Sequence, residues 1–363
     1  MSKKTQKNKK KKHSSRGGTL VLLVAVALFF TVVAVYKSYV QKPELPPAVV
    51  EKEPVVEVEP GAEESVPVES EVVVPSTTRK SKDFYTVLLV GTDTSSYSTD
   101  TIMLASYDVT NQRATVMSIP RDTLVSTFGT SRYTRINTIY AAYGGGEAGR
   151  NALAEAVSEL VGFMPDYKVF VKWELVGAMV DALGGVEYDV PFHMEYDDPA
   201  QDLHIYVEKG LQLLNGDQAM QVVRWRKNNP GVSSGGGTGS DLGRVKVQQG
   251  FLKAVLKQTL QIKNMTKIDE LAQLFSSHVE GDLTIQNVFW FAKKAVFGGL
   301  DAGDVQFVTM PWKSANPYVY PDGEELLKLV NEQLSPYNFD ITMDQVDLIY
   351  FDAEGNMMST GQK

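Results

Sequence analysis

Val87–Asp122 reads VLLVGTDTSSYSTDTIMLASYDVTNQRATVMSIPRD, and its pattern decides the fold. Apolar runs at Val87–Val90, Ile102–Ser106 and Ala114–Ile119 are short, rich in β-formers and bounded by turn residues, which predicts buried strands. Between the first two runs lies a Gly, Thr and Ser loop carrying Asp93 and Asp100, and the third run ends in Pro120-Arg121-Asp122. The charged residues therefore fall where strands end.

Two carboxylates on one loop, with an arginine closing a neighbouring strand, suit a divalent cation and a phosphorylated ligand. Hard cations such as Mg²⁺ take one or two carboxylates together with substrate phosphates, and guanidinium is a fork that matches phosphate oxygens. Asp and Ser are also ordinary turn formers, so this stretch alone leaves both readings open.

The 363-residue chain has a net charge of -8 and no cysteine. Residues 1–18 carry seven Lys and Arg16 with no acid, so the remainder sums to -8 minus 8, or -16. An acidic body of this kind argues against nucleic acid as a partner, and the lack of cysteine excludes thiolate nucleophiles and Cys-based zinc sites. Thr19–Tyr36 (TLVLLVAVALFFTVVAVY) is uncharged and, behind its polybasic flank, predicts one transmembrane helix that acts as an uncleaved signal-anchor. The positive-inside rule then keeps the N-terminus cytoplasmic and places the rest of the chain outside the cell. Residues 38–82 are rich in Pro, Glu and Val, a composition expected to form an extended extracytoplasmic tether that holds the body away from the bilayer.

Beyond the opening strands, Gly144-Gly145-Gly146 leads into a helical pattern over Glu147–Val161. That turn suits a phosphate at a helix N-terminus or a plain flexible turn; no Gly-Lys-Ser/Thr follows, so it is not a Walker loop. Lys168–Val171 predicts a strand, Trp173–Leu183 a helix and Val186–Val190 a strand. This alternation points to an α/β class, a central mixed β-sheet layered with helices. His193, Glu195, Asp197, Asp198, Asp202 and His204 crowd together without zinc spacing and read as hydrogen-bonded loop residues.

Arg224 and Arg226 flank Trp225 after an apolar run at Val222–Trp225, and strand spacing puts both on one face. Like charges held side by side call for an anion between them. Ser240 or Asp241 can cap a helix reaching about Ile262, with Asp241, Arg244 and Gln248 on one face near its positive end. Helices at Ile268–Phe275, Ile285–Ala295 and Gly323–Leu334 and a strand at Val305–Met310 complete a body spanning residues 83–349, before a polar tail at 350–363 expected to fray.

The ordered set GTD, STDTIMLASYD, SIPRDT, RINTIYAAYGGG, DALGGVEYDV, GLQLLNGDQAMQVVRWR and SDLGRVKVQQ behind a single anchor resembles the LytR-CpsA-Psr family of bacterial cell-wall proteins. The resemblance covers roughly Asp83–Asn338. It implies a membrane-anchored phosphotransferase that moves a glycopolymer, such as teichoic acid or capsule, from a polyprenyl pyrophosphate carrier to peptidoglycan. The implied acceptor is the C6 hydroxyl of N-acetylmuramic acid, and the implied metal is Mg²⁺, with Mn²⁺ as a substitute.

By the same resemblance, Asp93 and Asp100 would hold the metal. Arg121, Arg135, Arg224, Arg226 and Arg244 would cradle the pyrophosphate with Gln248, Asp122 would orient Arg121, and Asp241 would position an arginine or act near the acceptor. The family fold also implies an apolar tunnel for the polyprenyl chain between sheet and helices. Thr94-Ser95 departs from the family pattern, in which a basic residue often follows the first aspartate. Two alternatives keep the same pocket: a lipid-binding scaffold or regulator without turnover, and a pyrophosphatase in which water replaces the sugar hydroxyl.

Overall fold

The predicted strands pair as one sheet. A computed structural model describes residues 40–46, 79–92, 99–127, 130–233, 241–259 and 268–361. The opening strands are β1 (Phe84–Thr92), β2 (Thr101–Asp108) and β3 (Arg113–Ile119), followed by a hairpin of β4 (Leu124–Thr127) and β5 (Thr130–Arg135). Next come α1 (Ile136–Ala142), α2 (Gly146–Val161), β6 (Tyr167–Lys172), α3 (Glu174–Ala182), β7 (Val186–Val190), β8 (Met194–Asp198), β9 (Leu203–Val207) and β10 (Gly210–Leu214). The chain continues through α4 (Gly216–Arg224), α5 (Asp241–Thr259), α6 (Ile268–His278), β11 (Val279–Gly281), α7 (Ile285–Gly298), β12 (Val305–Thr309), β13 (Trp312–Ala315) and β14 (Tyr318–Pro321). It closes with α8 (Gly323–Leu329), a π turn at Val330–Leu334, and the pair β15 (Ile349–Phe351) and β16 (Met357–Ser359).

The main sheet has the order β11-β6-β1-β2-β3-β12. β1 pairs antiparallel to β2 and parallel to β6, and β12 runs parallel to β3, so the sheet is mixed. Its central strands are covered on both faces, which is why they read as near-continuous apolar runs. Leu88, Val90, Leu104 and Met117 face α2, whose Leu153, Ala156, Val157, Leu160 and Val161 recur at helical spacing. Met103, Val116 and Leu89 face the opposite side, where Leu252 and Leu256 of α5 lie.

A second core joins α3, β7–β10 and α4 to Val247 and Phe251 of α5. α5 is thus shared between the sheet and this smaller unit. Gly162 ends α2 in the left-handed region at φ 74, and a Cβ there would meet Ile341 Cγ2 at 2.3 Å. Only glycine fits that position.

Several expectations shift. Val222–Arg224 completes α4 instead of forming a strand, and only Trp225 is extended, at φ -61 and ψ 135. A capping box between Asn215 and Gln218 starts that helix, and its local bonds override the apolar run. Within the described residues, which end at Gly361, the tail beyond Ile349 is paired: β15 and β16 form a ladder, and Thr360 Oγ1 accepts from Leu348 N at 2.9 Å and donates to Val346 O at 2.8 Å.

Both ends of the anticipated tether belong to the body. Val40 and Leu45 pack with Tyr85, Tyr167 and Trp290, and the Tyr167 hydroxyl donates to Glu44 O. Arg79 forks onto buried Asp166 through two 2.9 Å bonds. Among the described residues no helix is long and apolar enough to cross a membrane; residues 19–36 lie outside them.

Candidate active site

Strand register builds the centre of the site. β2 and β3 pair Ile102 with Ile119, and continuing that register two residues outward sets Asp100 opposite Arg121. Arg121 Nη1 donates to Asp100 Oδ1 at 2.9 Å. Arg121 Nε lies 3.5 Å from Asp122 Oδ2, and Arg135 Nη1 donates to Asp122 Oδ1 at 3.3 Å. Asp122 therefore lies within ion-pair distance of two arginines.

The backbone locks this arrangement. Pro120 O accepts from Thr123 N at 3.0 Å and from Thr123 Oγ1 at 2.6 Å, turning the chain directly after β3. Asn137 N donates to Arg121 O at 3.3 Å, and Thr99 Oγ1 donates to Asn137 O at 3.0 Å. The SIPRDT and RIN motifs and the end of the acidic loop are thus stitched to one another. At the end of β1, a Cβ on Gly91 would fall 3.1 Å from Trp173 Cζ2 and 3.3 Å from Thr101 Cβ, so the glycine leaves room for the indole.

Gln248 connects the two halves of the site. Its Nε2 donates to Val223 O at 3.0 Å, and its Oε1 accepts from Thr101 Oγ1 at 3.4 Å. Thr101 adjoins Asp100 and Val223 adjoins Arg224, so one buried amide spans from the carboxylate loop to the arginine pair. Arg244 is buried one turn earlier on the same helix. From the sequence Gln248 is expected as a ligand contact; in the fold one donor and one acceptor of its amide are used by protein groups, which gives it a positioning role as well.

Arg224 and Arg226 are exposed on either side of fully buried Trp225. Among the described residues neither forms an ion pair. Trp225 Nε1 donates to Asn228 Oδ1 at 2.8 Å, and its ring packs 4.6 Å from that of Phe192. Asn228 also accepts from Glu195 N at 2.9 Å and donates to His193 O at 2.9 Å. Sequence reasoning passed over Asn228; its signal was a short polar amide three residues beyond a buried tryptophan.

Asp93 and Thr94-Ser95 lie outside the described residues, as does Ser240. Asp241 opens α5, with its side chain likewise outside the description. The triglycine is a turn whose amides are used: Gly145 N donates to Tyr140 O at 2.9 Å, and Gly146 N to the Tyr140 hydroxyl at 3.2 Å.

The His193–His204 stretch forms the hairpin β8–β9. His193 Nε2 meets Glu195 at 3.0 Å and its Nδ1 meets Glu208 at 3.2 Å, while His204 pairs with Asp197. The bond to Glu195, with Glu208 adding, raises the His193 pKa above its ordinary value. Among the described residues no three His, Asp or Glu side chains converge as a cation site. Asp100, with a side chain 36% exposed, has Oδ1 taken by Arg121 and carries in Oδ2 a hard oxygen of the kind Mg²⁺ accepts, while Asp93, the other expected ligand, lies outside the described residues.

The profile of the LytR_cpsA_psr family matches residues 53–335. The polyisoprenyl-teichoic acid--peptidoglycan teichoic acid transferase TagV of Bacillus subtilis is 30% identical over 189 residues, covering 51% of this chain and 45% of TagV. The regulatory protein MsrR of Staphylococcus aureus is 25% identical over 217 residues, 60% of each chain. The chain thus spans about half to three-fifths of the length of these curated relatives. The crystal structure of B. subtilis TagV superposes with a TM-score of 0.56 at 25% identity, covering 70% of this chain and 98% of that one. On the profile match, which extends over well over half of its residues, this chain belongs to the LytR-CpsA-Psr family.

Proposed function

We propose that this protein is a membrane-anchored phosphotransferase that moves a glycopolymer from a polyprenyl pyrophosphate carrier onto peptidoglycan. The observation that carries the reading is the continuous chain from Arg135 through Asp122, Arg121 and Asp100 to Thr101, Gln248 and Val223, ending beside Arg224. It fixes permanently charged guanidinium groups around one end of the sheet. Phosphoryl transfer rests mainly on positioning and on stabilising charge spread over phosphoryl oxygens, and arginine forks supply both.

In this reading Arg121, Arg135, Arg224, Arg226 and Arg244 bind the pyrophosphate. An acceptor hydroxyl oxygen, the C6 hydroxyl of N-acetylmuramic acid, attacks the phosphorus attached to the sugar. The bond from that phosphorus to the bridging oxygen breaks, polyprenyl phosphate leaves, and the hydroxyl proton passes to solvent. Asp122, within ion-pair distance of both Arg121 and Arg135, orients the arginines. Asp241 stands at the positive end of α5 and serves near the acceptor. Asp93 and Asp100 would hold Mg²⁺, or Mn²⁺ in its place, which when bound neutralises charge on the phosphate oxygens.

The anchor is residues 19–36, with the N-terminus cytoplasmic and the body extracellular. The activity named for TagV supports the transfer of teichoic acid in particular. The test is the full chain with a synthetic polyprenyl-pyrophosphate glycan, Mg²⁺ and peptidoglycan oligomers, following product masses with and without EDTA. A glycan-phosphate-peptidoglycan adduct lost with EDTA is expected. Free glycan phosphate alone would indicate a pyrophosphatase, and lipid binding without turnover a scaffold or regulator.

A further inference from the structure

Beside Asp122 lies a hairpin, β13–β14, to which the transfer reaction as described gives no task. Val319 N donates to Asp122 O at 3.2 Å, and Val319 bridges Thr123 in parallel. The peptide unit shared by Tyr318 and Val319 is therefore bonded to the turn that carries the Arg121–Asp122–Arg135 cluster. Tyr318 begins β14 at the open end of the hairpin nearest that turn.

Within the hairpin Ala315 pairs with Tyr318 and Ser314 with Val319. Alternation puts Tyr318 and Ala315 on one face, and Val319 and Ser314 on the other. Ala315 adds only a methyl across the ladder, and the Tyr318 ring is 37% exposed. Tyr320, two residues on and on the same face, has its ring 5.1 Å from that of Phe351. Among the described residues Tyr318 has no such ring partner, and its hydroxyl makes no hydrogen bond. The side-chain amide of Asn316, exposed in the turn between the strands, makes none either.

We infer that this hairpin tip is a glycan subsite, in which the Tyr318 ring stacks on the apolar face of a pyranose and Asn316 bonds sugar hydroxyls beside the arginine cluster. The inference rests on the phosphotransferase reading and deepens it, by giving one of its two glycans a place.

Charge separates a sugar from a phosphate here. Ser314–Tyr318 reads SANPY and carries no charge. Of the flanking ionic groups, Lys313 pairs with Asp322 at 3.0 Å and Arg135 with Asp122 at 3.3 Å, while Glu324 and Glu325 lie past the other end of β14, in the first turn of α8. A polyanion gains nothing from such a tip. A pyranose instead presents C–H groups to the negative face of an aromatic ring and hydroxyls to a side-chain amide. Tyrosine suits this surface position because its body is apolar and its hydroxyl stays in water. A protein partner would cover the same ring without any affinity for sugar.

The test is calorimetric binding to full-length protein in detergent micelles. The probes are disaccharide-peptide fragments released from peptidoglycan, teichoic acid glycan free of its carrier, and inorganic pyrophosphate as a check on the arginines. Tyr318→Ala should weaken one of the two glycans by about tenfold, Tyr318→Phe should bind as the parent does, and pyrophosphate should bind all three proteins alike. Weakening with peptidoglycan fragments assigns the subsite to the acceptor, and weakening with the teichoic acid glycan assigns it to the donor; either supports it. Absence of glycan binding in the parent, or undiminished binding by Tyr318→Ala, overturns the subsite. Joint loss of pyrophosphate binding in Tyr318→Ala makes the residue structural and overturns it too. Transfer by the parent is assayed separately: glycan binding that depends on Tyr318, without any adduct, upholds the subsite while the phosphotransferase reading fails.

Discussion

Arg121 reaches across the end of the sheet to Asp100, with Nη1 2.9 Å from Oδ1. The pair is where β2 and β3 outrun their ladder, so the register that builds the core also sets the charge spacing of the site. Asp100→Asn keeps the shape and removes the charge, weakening both the hold on Arg121 and the proposed metal site. Transfer should fall about 100-fold or more, and the loss should be only partly relieved by raising Mg²⁺, measured as rate against Mg²⁺ concentration.

Gln248 joins Thr101 to Val223, and its replacement should expose its positioning role. Gln248→Leu leaves a buried carbonyl and hydroxyl without their partner, at a cost of about 1–3 kcal/mol. We expect a lower denaturation midpoint together with a reduced kcat and little change in KM for the carrier. A variant with raised KM alone would make Gln248 a ligand contact instead.

Asn228 holds the Trp225 ring at 2.8 Å and the backbone of His193 and Glu195 at 2.9 Å. Asn228→Ala should loosen the segment that carries Arg226 while leaving both arginines in place. Reduced transfer with retained fold, and recovery in part by Asn228→Asp through its remaining acceptor oxygens, would be seen in steady-state rates.

Arg79 is a structural counterpart. Its fork onto Asp166 lies where Asp166 Oδ2 also accepts from Thr86 N at 2.8 Å and Thr86 Oγ1 at 2.9 Å. Arg79→Ala strands a buried carboxylate and should cost about 3–5 kcal/mol, read as a shift in the urea midpoint.

Glu159 gives the protein a pH-dependent stability. Burial, with Asp347 and Glu155 adding, pushes its carboxyl from 4.5 up to about 7. The folded protein then keeps a proton that the unfolded chain releases, so stability is highest below about 4.5 for this group and falls as pH rises through about 7. Glu159→Gln should remove that slope and stabilise the protein at pH 8 by about 1 kcal/mol, reduced from the full shift by partial solvation. Melts across this pH range check it.

Strands β1 to β3, β6, β7 and β12 and the main helices were legible because their apolar periodicity matches their burial. Asp100 and Arg121 were legible too, as charged residues just past the ends of two strands that pair. Most of what escaped depended on partners remote in sequence. Arg79 sits in a Pro/Glu-rich stretch, and nothing local announces Asp166 87 residues on. The strap at Val40–Leu45 carries the composition of a tether but docks on aromatic rings from β1, β6 and α7. At Val222–Trp225 an apolar run resembled a strand, and the capping box seven residues upstream of Val222 decided for helix.

The most direct measurement is the single-turnover rate of glycopolymer transfer by full-length protein with Arg121→Ala and, separately, Arg224→Ala, set against thermal melts of the same samples. An arginine cradle for pyrophosphate requires each substitution to slow transfer by about 10²–10³-fold with melting close to that of the parent. Transfer at the parental rate in either variant would contradict the cradle and remove the phosphotransferase reading's main support.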